Sequence, residues 1–351
     1  MDLAKYPVGI DSRVKDIENL LQCQTNDGVK MIGIFGTGGV GKTNLAKTIY
    51  NMNYLRFEGS SFIANVRSEA SGGRLARLQE KLVCETLKRK IHEIDNVDRG
   101  ITLIKRILPS KKVLIVLDDI DHRNQLNSLA GQRDWFGSGS IIIITTRDVH
   151  LLSNLRAHEK YEVNMLSFDE SLQLLSWHAF GVPVPLEEYS ELSKTIASYT
   201  KGLPLALEVI GSHLQGKSVQ EWRDDVEKLK KIPHGDVQEI LKISYDALDD
   251  DTQYIFLDIA CFFIGDDKNK ITILEACDFF PGSGIKTLAD RCLLTINKDE
   301  KFEMHDLVRD MGREIVRKES PKELGKRRRL VDPKDVIDVL QGKKVKHFLS
   351  A

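Results

Sequence analysis

The sequence predicts an α/β domain with a parallel sheet covered by helices on both faces, followed by a small helical domain and a winged-helix domain. Three observations predict it. Short apolar runs at 31–35 (MIGIF), 61–66 (SFIANV), 113–117 (VLIVL) and 141–144 (IIII) alternate with helical stretches, the pattern of βαβ units. After about residue 160 the runs stop and capped helices take over. From 236, helices lead into CLLTINKDEKFEMH, two short apolar runs joined by a charged turn, as in a winged helix.

The elements follow in order. MIGIF ends in glycines, the mark of a buried parallel strand, and a helix with apolar positions at Leu45, Ile49 and Tyr50 comes next. Helices are expected over 75–92 and 98–108. Ser167 is an N-cap candidate with Asp169 and Glu170 in the first turn and a stop at Gly181. More helix is expected over 187–231, broken at Lys201-Gly202-Leu203-Pro204. Helices are then expected at 236–246, 251–263, near 270–277, at 284–291 and at 305–318. These readings divide the chain into 1–160, 161–235, 236–345 and a tail at 346–351. No repeat of 20–50 residues is present.

Bulk properties narrow the function classes. The 351 residues are 41% hydrophobic and 29% charged, as in ordinary globular proteins. Lysine plus arginine (51) nearly cancels aspartate plus glutamate (52), so no global field selects nucleic acid or a membrane. Between Arg309 and Lys346 basic residues predominate, including Lys326-Arg327-Arg328-Arg329. A solvated basic edge is expected there, with a phosphate-binding patch or a nuclear signal as the alternative. Cys23, Cys84, Cys261, Cys277 and Cys292 are odd in number and lack CxxC spacing, which argues for a reducing compartment and against zinc or a disulfide framework. The start is not a signal peptide, and no run of 18 apolar residues spans a bilayer. The abrupt beginning and end are those expected of a piece of a longer chain.

The chemistry-bearing motif is GTGGVGKT, residues 36–43, which fits G-x-x-x-x-G-K-[ST] between a strand and a helix. Gly36, Gly38, Gly39 and Gly41, with Val40 among them, free the backbone to curl its N–H groups around phosphate oxygens. The dipole of the following helix adds positive potential. Lys42 is expected to reach the β- and γ-phosphates and Thr43 to ligate Mg²⁺, with Asn44 next at the helix start. VLIVLDDID then delivers Asp118 and Asp119 to the carboxyl end of a strand, where ligands bind in open α/β sheets. Asp118 is the natural Mg²⁺ partner and Asp119 the candidate for polarising an attacking water, although adjacent acids can also simply begin a turn. In GSGSIIIITTRD the strand ends at Thr145-Thr146-Arg147. Arg147 can sense a γ-phosphate there by bidentate bonds, although arginine closing a strand is also common on surfaces.

In their order, GTGGVGKT, VLIVLDDID, GSGSIIIITTRD, KGLPLALEVIGSHL, CFFIGDD and MHDLVRDMGREIV resemble the NB-ARC module of plant nucleotide-binding leucine-rich-repeat immune receptors. That module is a STAND-class P-loop ATPase. Asp121, closing LDDID, looks like the subclass with an N-terminal TIR domain, as do YPVGIDSRVKDIENLL and LKISYDALDDDTQYIFLDIACFF. The resemblance covers about residues 6–345. It implies that Val8, Gly9 and Ile10 belong to the segment that holds adenine and that Pro204 packs on the base. It also implies that His305 of Met304-His305-Asp306 touches the ADP β-phosphate at rest. Thr37 stands where the family usually has methionine, and Asn44 where it usually has threonine.

The resemblance further implies an intracellular switch, cytoplasmic with the nucleus as a further compartment, closed on ADP and open on ATP, with Mg²⁺ as cofactor and slow hydrolysis. Its implied partners are TIR and leucine-rich-repeat domains, neither of which lies in this chain, and further copies of itself on activation. No membrane or nucleic-acid partner is expected, nor the NAD cleavage that the family places in the TIR domain. The alternatives are a substrate-stimulated P-loop ATPase or motor, and a winged-helix nucleic-acid-binding module. Read alone, His305 before an aspartate at a helix start is a local cap. Read with the motifs, it is a latch on the nucleotide, and Asp306 is expected to bond the free N–H groups of the helix.

Overall fold

The computed structural model describes residues 1–22, 28–70, 73–91, 94–153, 159–230, 236–268, 281–321 and 323–341. The chain forms two compact units, Met1–Met165 and Leu166–Ala351.

The first unit is built on five parallel strands: β1 (Lys30–Phe35), β2 (Gly59–Ile63), β3 (Val113–Ile120), β4 (Ile141–Thr146) and β5 (Glu159–Glu162), in the order β2-β3-β4-β1-β5. The four apolar runs are the first four strands. Their side chains are buried because helices cover both faces of a parallel sheet. The fifth strand was not among the expected ones. Its sequence, EKYE, carries no apolar run; its burial alternates along the strand, as suits an edge whose charged residues discourage further pairing.

Helix α1 spans Ile10–Gln22 and α2 spans Lys42–Asn53. Short α3 (Val66–Glu69) is followed by α4 (Leu75–Leu87), α5 (Val97–Ile107), α6 (Arg123–Ala130) and α7 (Val149–Ser153). The core joins Met31, Ile63, Leu82, Ile104, Ile115, Leu117, Ile142 and Ile144, each fully buried. Because β4 lies between β1 and β3, the loops after all three strands meet at one edge. Phe35 and Thr146 are in register there, as are Leu117 and Ile144. That edge is where the chain reverses its winding, the place where open α/β sheets bind ligands.

The second unit begins with α8 (Phe168–Phe180), whose start carries the expected cap in full: Ser167 accepts from Glu170 N and the Glu170 carboxylate accepts from Ser167 N. Gly181 ends it in the left-handed conformation. Next come α9 (Ser190–Tyr199), α10 (Pro204–Leu214), α11 (Val219–Lys230), α12 (Val237–Asp246) and α13 (Asp250–Asp258). The expected 251–263 helix is present: α13 runs straight into a π-helical segment, Ile259–Phe263. The helix expected near 270–277, and the 346–351 tail, lie outside the described residues. Helix α14 (Pro281–Asp290) leads to the antiparallel pair β6 (Thr295–Ile296) and β7 (Phe302–Glu303), then α15 (Asp306–Glu319) and α16 (Pro333–Leu340). A shared core of Leu205, Val209, Leu241, Phe256, Ile259, Leu288, Phe302 and Val308 runs through this unit. No helix among the described residues is long and apolar enough to cross a membrane.

The basic run is a solvated edge only in part: Lys326 and Arg328 are exposed, Arg327 is half-buried and Arg329 is buried. Lys326 pairs with Glu323, Arg327 with Asp335, and Arg328 with the Tyr254 hydroxyl. Arg329 is buried against Asp258, and its guanidinium lies 5.5 Å from the centre of the Tyr254 ring. Arg328 and Arg329 hold this segment against α13.

Candidate nucleotide-binding site

Glycine conformation shapes the loop after β1. Gly36, Gly39 and Gly41 have φ of 147°, 80° and 98°, a region that side-chain-bearing residues rarely adopt. Gly38 and Gly39 form the turn, and Val40 buries its side chain beneath it. Gly41 begins α2 with no side-chain cap, so the first amides of that helix look toward the loop. Lys42 is nearly buried, and its ammonium donates to the carbonyls of Gly36 at 2.8 Å and Thr37 at 2.7 Å. Asn44 occupies the third position of α2, where its carbonyl accepts from Thr48.

Asp118 is the meeting point of three segments. Its Oδ1 accepts from Thr43 Oγ at 2.9 Å and from Thr145 Oγ at 2.7 Å. Its side chain is fully buried and Oδ2 has no hydrogen-bond partner. Burial pushes the Asp118 pKa up, opposed by the Thr145 and Thr43 hydroxyls, the Asn65 amide and the Lys47 charge. A buried carboxylate oxygen without a donor, beside a threonine hydroxyl, suits a hard divalent cation such as Mg²⁺.

Asp119 sits at an irregularity in the β3–β4 register and has φ 55°, a strained conformation for a residue with a side chain. The strain turns its carboxylate out of the sheet toward the end of β4, where Arg147 Nε lies 3.7 Å from Asp119 Oδ1. Its amide donates to Thr145 Oγ at 2.8 Å, so Thr145 ties both acids together. The next acid, Asp121, pairs with Arg67 at 3.3 Å. Sequence reasoning did not single out Thr145, Asn65 or Arg67. Thr145 stood in the TTRD run, but only the neighbouring strand shows what it touches.

The N-terminal segment joins the same edge. Val8 and Gly9 form a turn before α1, with Gly9 at φ 70° and Ile10 as the first helical residue. Arg13 donates to the Gly9 carbonyl and, at 3.2 Å, to that of Met165. The residue two before Met165, Val163, bonds Phe35 at 2.9 Å and packs against Gly36. The turn at 8–10 is thereby anchored to the strand that carries the phosphate loop.

Pro204 and His305 belong to the second unit. Pro204 is the first residue of α10, where its missing N–H leaves no helical bond unmade. Gly202, two residues before it, has φ 74°, and its carbonyl accepts from Leu166 N at 2.9 Å. His305 caps α15: its Nδ1 accepts from Leu307 N at 3.1 Å. Asp306 was expected to bond the free amides; instead it pairs with Arg309 at 2.7 Å, and the histidine takes the capping role. A ring nitrogen that accepts an amide proton carries none itself, so the neutral ring holds its proton on Nε2, a donor.

Residues 11–184 match the NB-ARC domain, and residues 249–320 match the winged-helix domain of the disease resistance protein Roq1-like family. The chain is 42% identical over 337 residues to the disease resistance protein RUN1 of Vitis rotundifolia, covering 95% of this chain and 25% of that protein. It is also 42% identical over 341 residues to the TMV resistance protein N of Nicotiana glutinosa, covering 95% of this chain and 29% of that one. The chain thus spans about a quarter of the length of these relatives. Among solved structures, a signal transduction ATPase with numerous domains and a tetratricopeptide repeat sensor, from Pyrococcus horikoshii, shares the fold at TM-score 0.54 and 18% identity. That match covers 97% of this chain and 46% of that one. With the phosphate loop, the acid pair, the helical region and the winged helix in this order, the chain belongs to the NB-ARC family as a P-loop ATPase module of the plant disease-resistance type.

Proposed function

We propose that this chain is an ADP/ATP switch, held closed by ADP and opened by exchange for ATP, within an intracellular receptor that assembles with copies of itself when active. The observation that carries the reading is the convergence of Thr43, Thr145 and Asp118 beside the phosphate loop. Gly36 to Gly41 and Val40 shape the cradle, Lys42 neutralises phosphate charge, and Asn44 lies at the helix start near the α-phosphate. Val8, Gly9 and Ile10 hold adenine, with Pro204 against its face. Thr43 and Asp118 would hold Mg²⁺, which when bound supplies charge to neutralise the phosphates. Asp119 orients the attacking water, and Arg147 leaves Asp119 to meet the γ-phosphate.

A ligand shifts a two-state equilibrium only by its differential affinity, and moving 1:99 to 99:1 takes about 5.5 kcal/mol. His305 supplies such a difference if its Nε2–H donates to the β-phosphate in the closed state alone. Capping and latching are compatible, since the Nδ1 bond to Leu307 is what leaves the proton on Nε2. Residues 1–160 form the nucleotide domain in this reading, 161–235 the helical domain and 236–345 the winged helix. TIR and leucine-rich-repeat domains are the partners in the longer receptor. The test is to denature purified protein and identify the released nucleotide. Stoichiometric ADP supports the switch; no nucleotide, together with no micromolar binding of ADP or ATP, ends it. A turnover well above about one per minute without partners would favour a working ATPase instead, given that unassisted P-loop switches hydrolyse slowly.

A further inference from the structure

A second cluster of reactive side chains lies within the second unit. Cys292 follows α14 with φ 54°. Its Sγ is 3.2 Å from Ser212 Oγ and 4.0 Å from His178 Nδ1, while Ser212 Oγ is 3.1 Å from the same Nδ1. His178 comes from α8 and Ser212 from α10. Glu208, one turn earlier on α10, takes the thiol as a hydrogen-bond partner, and burial pushes its pKa up. The neighbouring Arg291 donates to the Ser244 carbonyl of α12 at 3.2 Å and adds a positive charge. Among the described residues, His178 and Glu208 are titratable groups that meet the sulfur, and Arg291 is its neighbour along the chain. A raised Glu208 favours the protonated carboxyl, which donates to a thiolate rather than repelling it.

A nucleophile within reach of a base, with a hydroxyl bridging the two, is the arrangement that activates a thiol. Cys261 makes the contrast: it is buried, and burial pushes its thiol up to about 11. Cys292 is only half-buried. We propose that Cys292 is a peroxide-reactive thiol, with His178 as its base and Ser212 as the proton relay, whose oxidation loosens the packing of residues 291–294 on α8 and α10.

The step balances. His178 takes the Sγ proton, and the thiolate attacks one oxygen of hydrogen peroxide as the O–O bond breaks. The departing hydroxide regains that proton to leave as water. Sulfur loses two electrons to peroxide and becomes a sulfenic acid. The added oxygen has to fit among Ser212, His178 and Glu208, a space sized for a thiol. Leu293 and Leu294, the next two residues, are 1% and 2% exposed, so a shift at 292 is passed directly to the core.

The full chain is treated with hydrogen peroxide, trapped with dimedone and read by peptide mass spectrometry, beside iodoacetamide pH profiles of wild type, His178→Asn and Ser212→Ala. Cys292 is expected to react at least about tenfold faster than Cys261 at pH 7, because only the thiolate is nucleophilic. His178→Asn is expected to slow Cys292 severalfold and move its profile to higher pH, with Ser212→Ala moving it the same way. Peroxide is expected to lower the Tm of wild type and not of Cys292→Ser. Equal reaction of Cys292 and Cys261, or a Cys292 profile unmoved in whichever variant folds, overturns the thiol assignment. An oxidised Cys292 with an unchanged Tm overturns the loosening.

Discussion

Arg147 Nε lies 3.7 Å from Asp119 Oδ1, so the cation that ends β4 is held by the acid that ends β3. Both groups are more than two-thirds shielded from solvent, and the pair sits on a backbone strained at Asp119. Asp119→Asn removes the base and weakens the hold on Arg147 together. Hydrolysis of ATP is expected to fall at least about a hundredfold, the usual share of a positioned general base. ADP affinity is expected to stay within a few-fold. Single-turnover hydrolysis and equilibrium titration check the two halves separately, and equal loss in both sinks the assignment.

Lys42 fills a nearly buried position between two loop carbonyls at 2.8 and 2.7 Å. Arginine is larger and planar, and cannot present the same compact charge there. Lys42→Arg is expected to weaken ADP and ATP binding by at least about tenfold, the value of one lost hydrogen bond to a charged group. Calorimetry reads this directly. Unchanged affinity would remove Lys42 from the phosphate site.

Asp306 holds Arg309 at 2.7 Å, with both side chains mostly shielded. Asp306→Val leaves that arginine with Asp310 as its remaining acidic partner and disturbs the His305 cap. Release of bound ADP is expected to quicken by about tenfold, equivalent to some 1.4 kcal/mol of lost latch. ADP retained as tightly as in wild type would return His305 to a purely local capping role.

Gly202 has φ 74°, and a Cβ placed there would lie 2.2 Å from the Leu166 carbonyl oxygen. Both the conformation and the space exclude a side chain. Gly202→Ala is expected to destabilise the second unit by about 2 kcal/mol or more. Denaturant unfolding measures it, and a change under about 0.5 kcal/mol would contradict the geometry.

His213 is buried with Nε2 3.0 Å from Asp225 and 2.6 Å from Lys217. Burial lowers its pKa below the ordinary 6.5, outweighing the pull of Asp225. The unfolded chain then binds a proton that the folded chain refuses, so stability rises with pH across this window. Stability is expected to be full above about pH 6.5 and to decline as pH falls below it. Tm measured from pH 7.5 to about 5 checks the sign, and His213→Gln should flatten the slope.

The phosphate loop, the acid pair and the capped helix at Ser167 were legible because each is a local device. A loop of glycines, a carboxylate after a buried run and a capping box depend on neighbours within a few residues. Strand β5 was not legible, because an edge strand of alternating charge lacks the apolar run that marks burial. The run 326–329 was legible only in part for the opposite reason: charge is visible in sequence and Lys326 and Arg328 are exposed, but the partners Asp258, Asp335 and Tyr254 are brought by the fold.

By itself the sequence determined most of the elements, β5 excepted, and which residues could bear phosphate chemistry, since periodicity, glycine placement and capping act over short range. Only the tertiary structure decided that Thr145 of β4 would bind Asp118 of β3 and that Arg147 would rest on Asp119. Those outcomes depend on strand order and on which donor meets which acceptor across distant segments, and spacing along one chain does not encode that meeting.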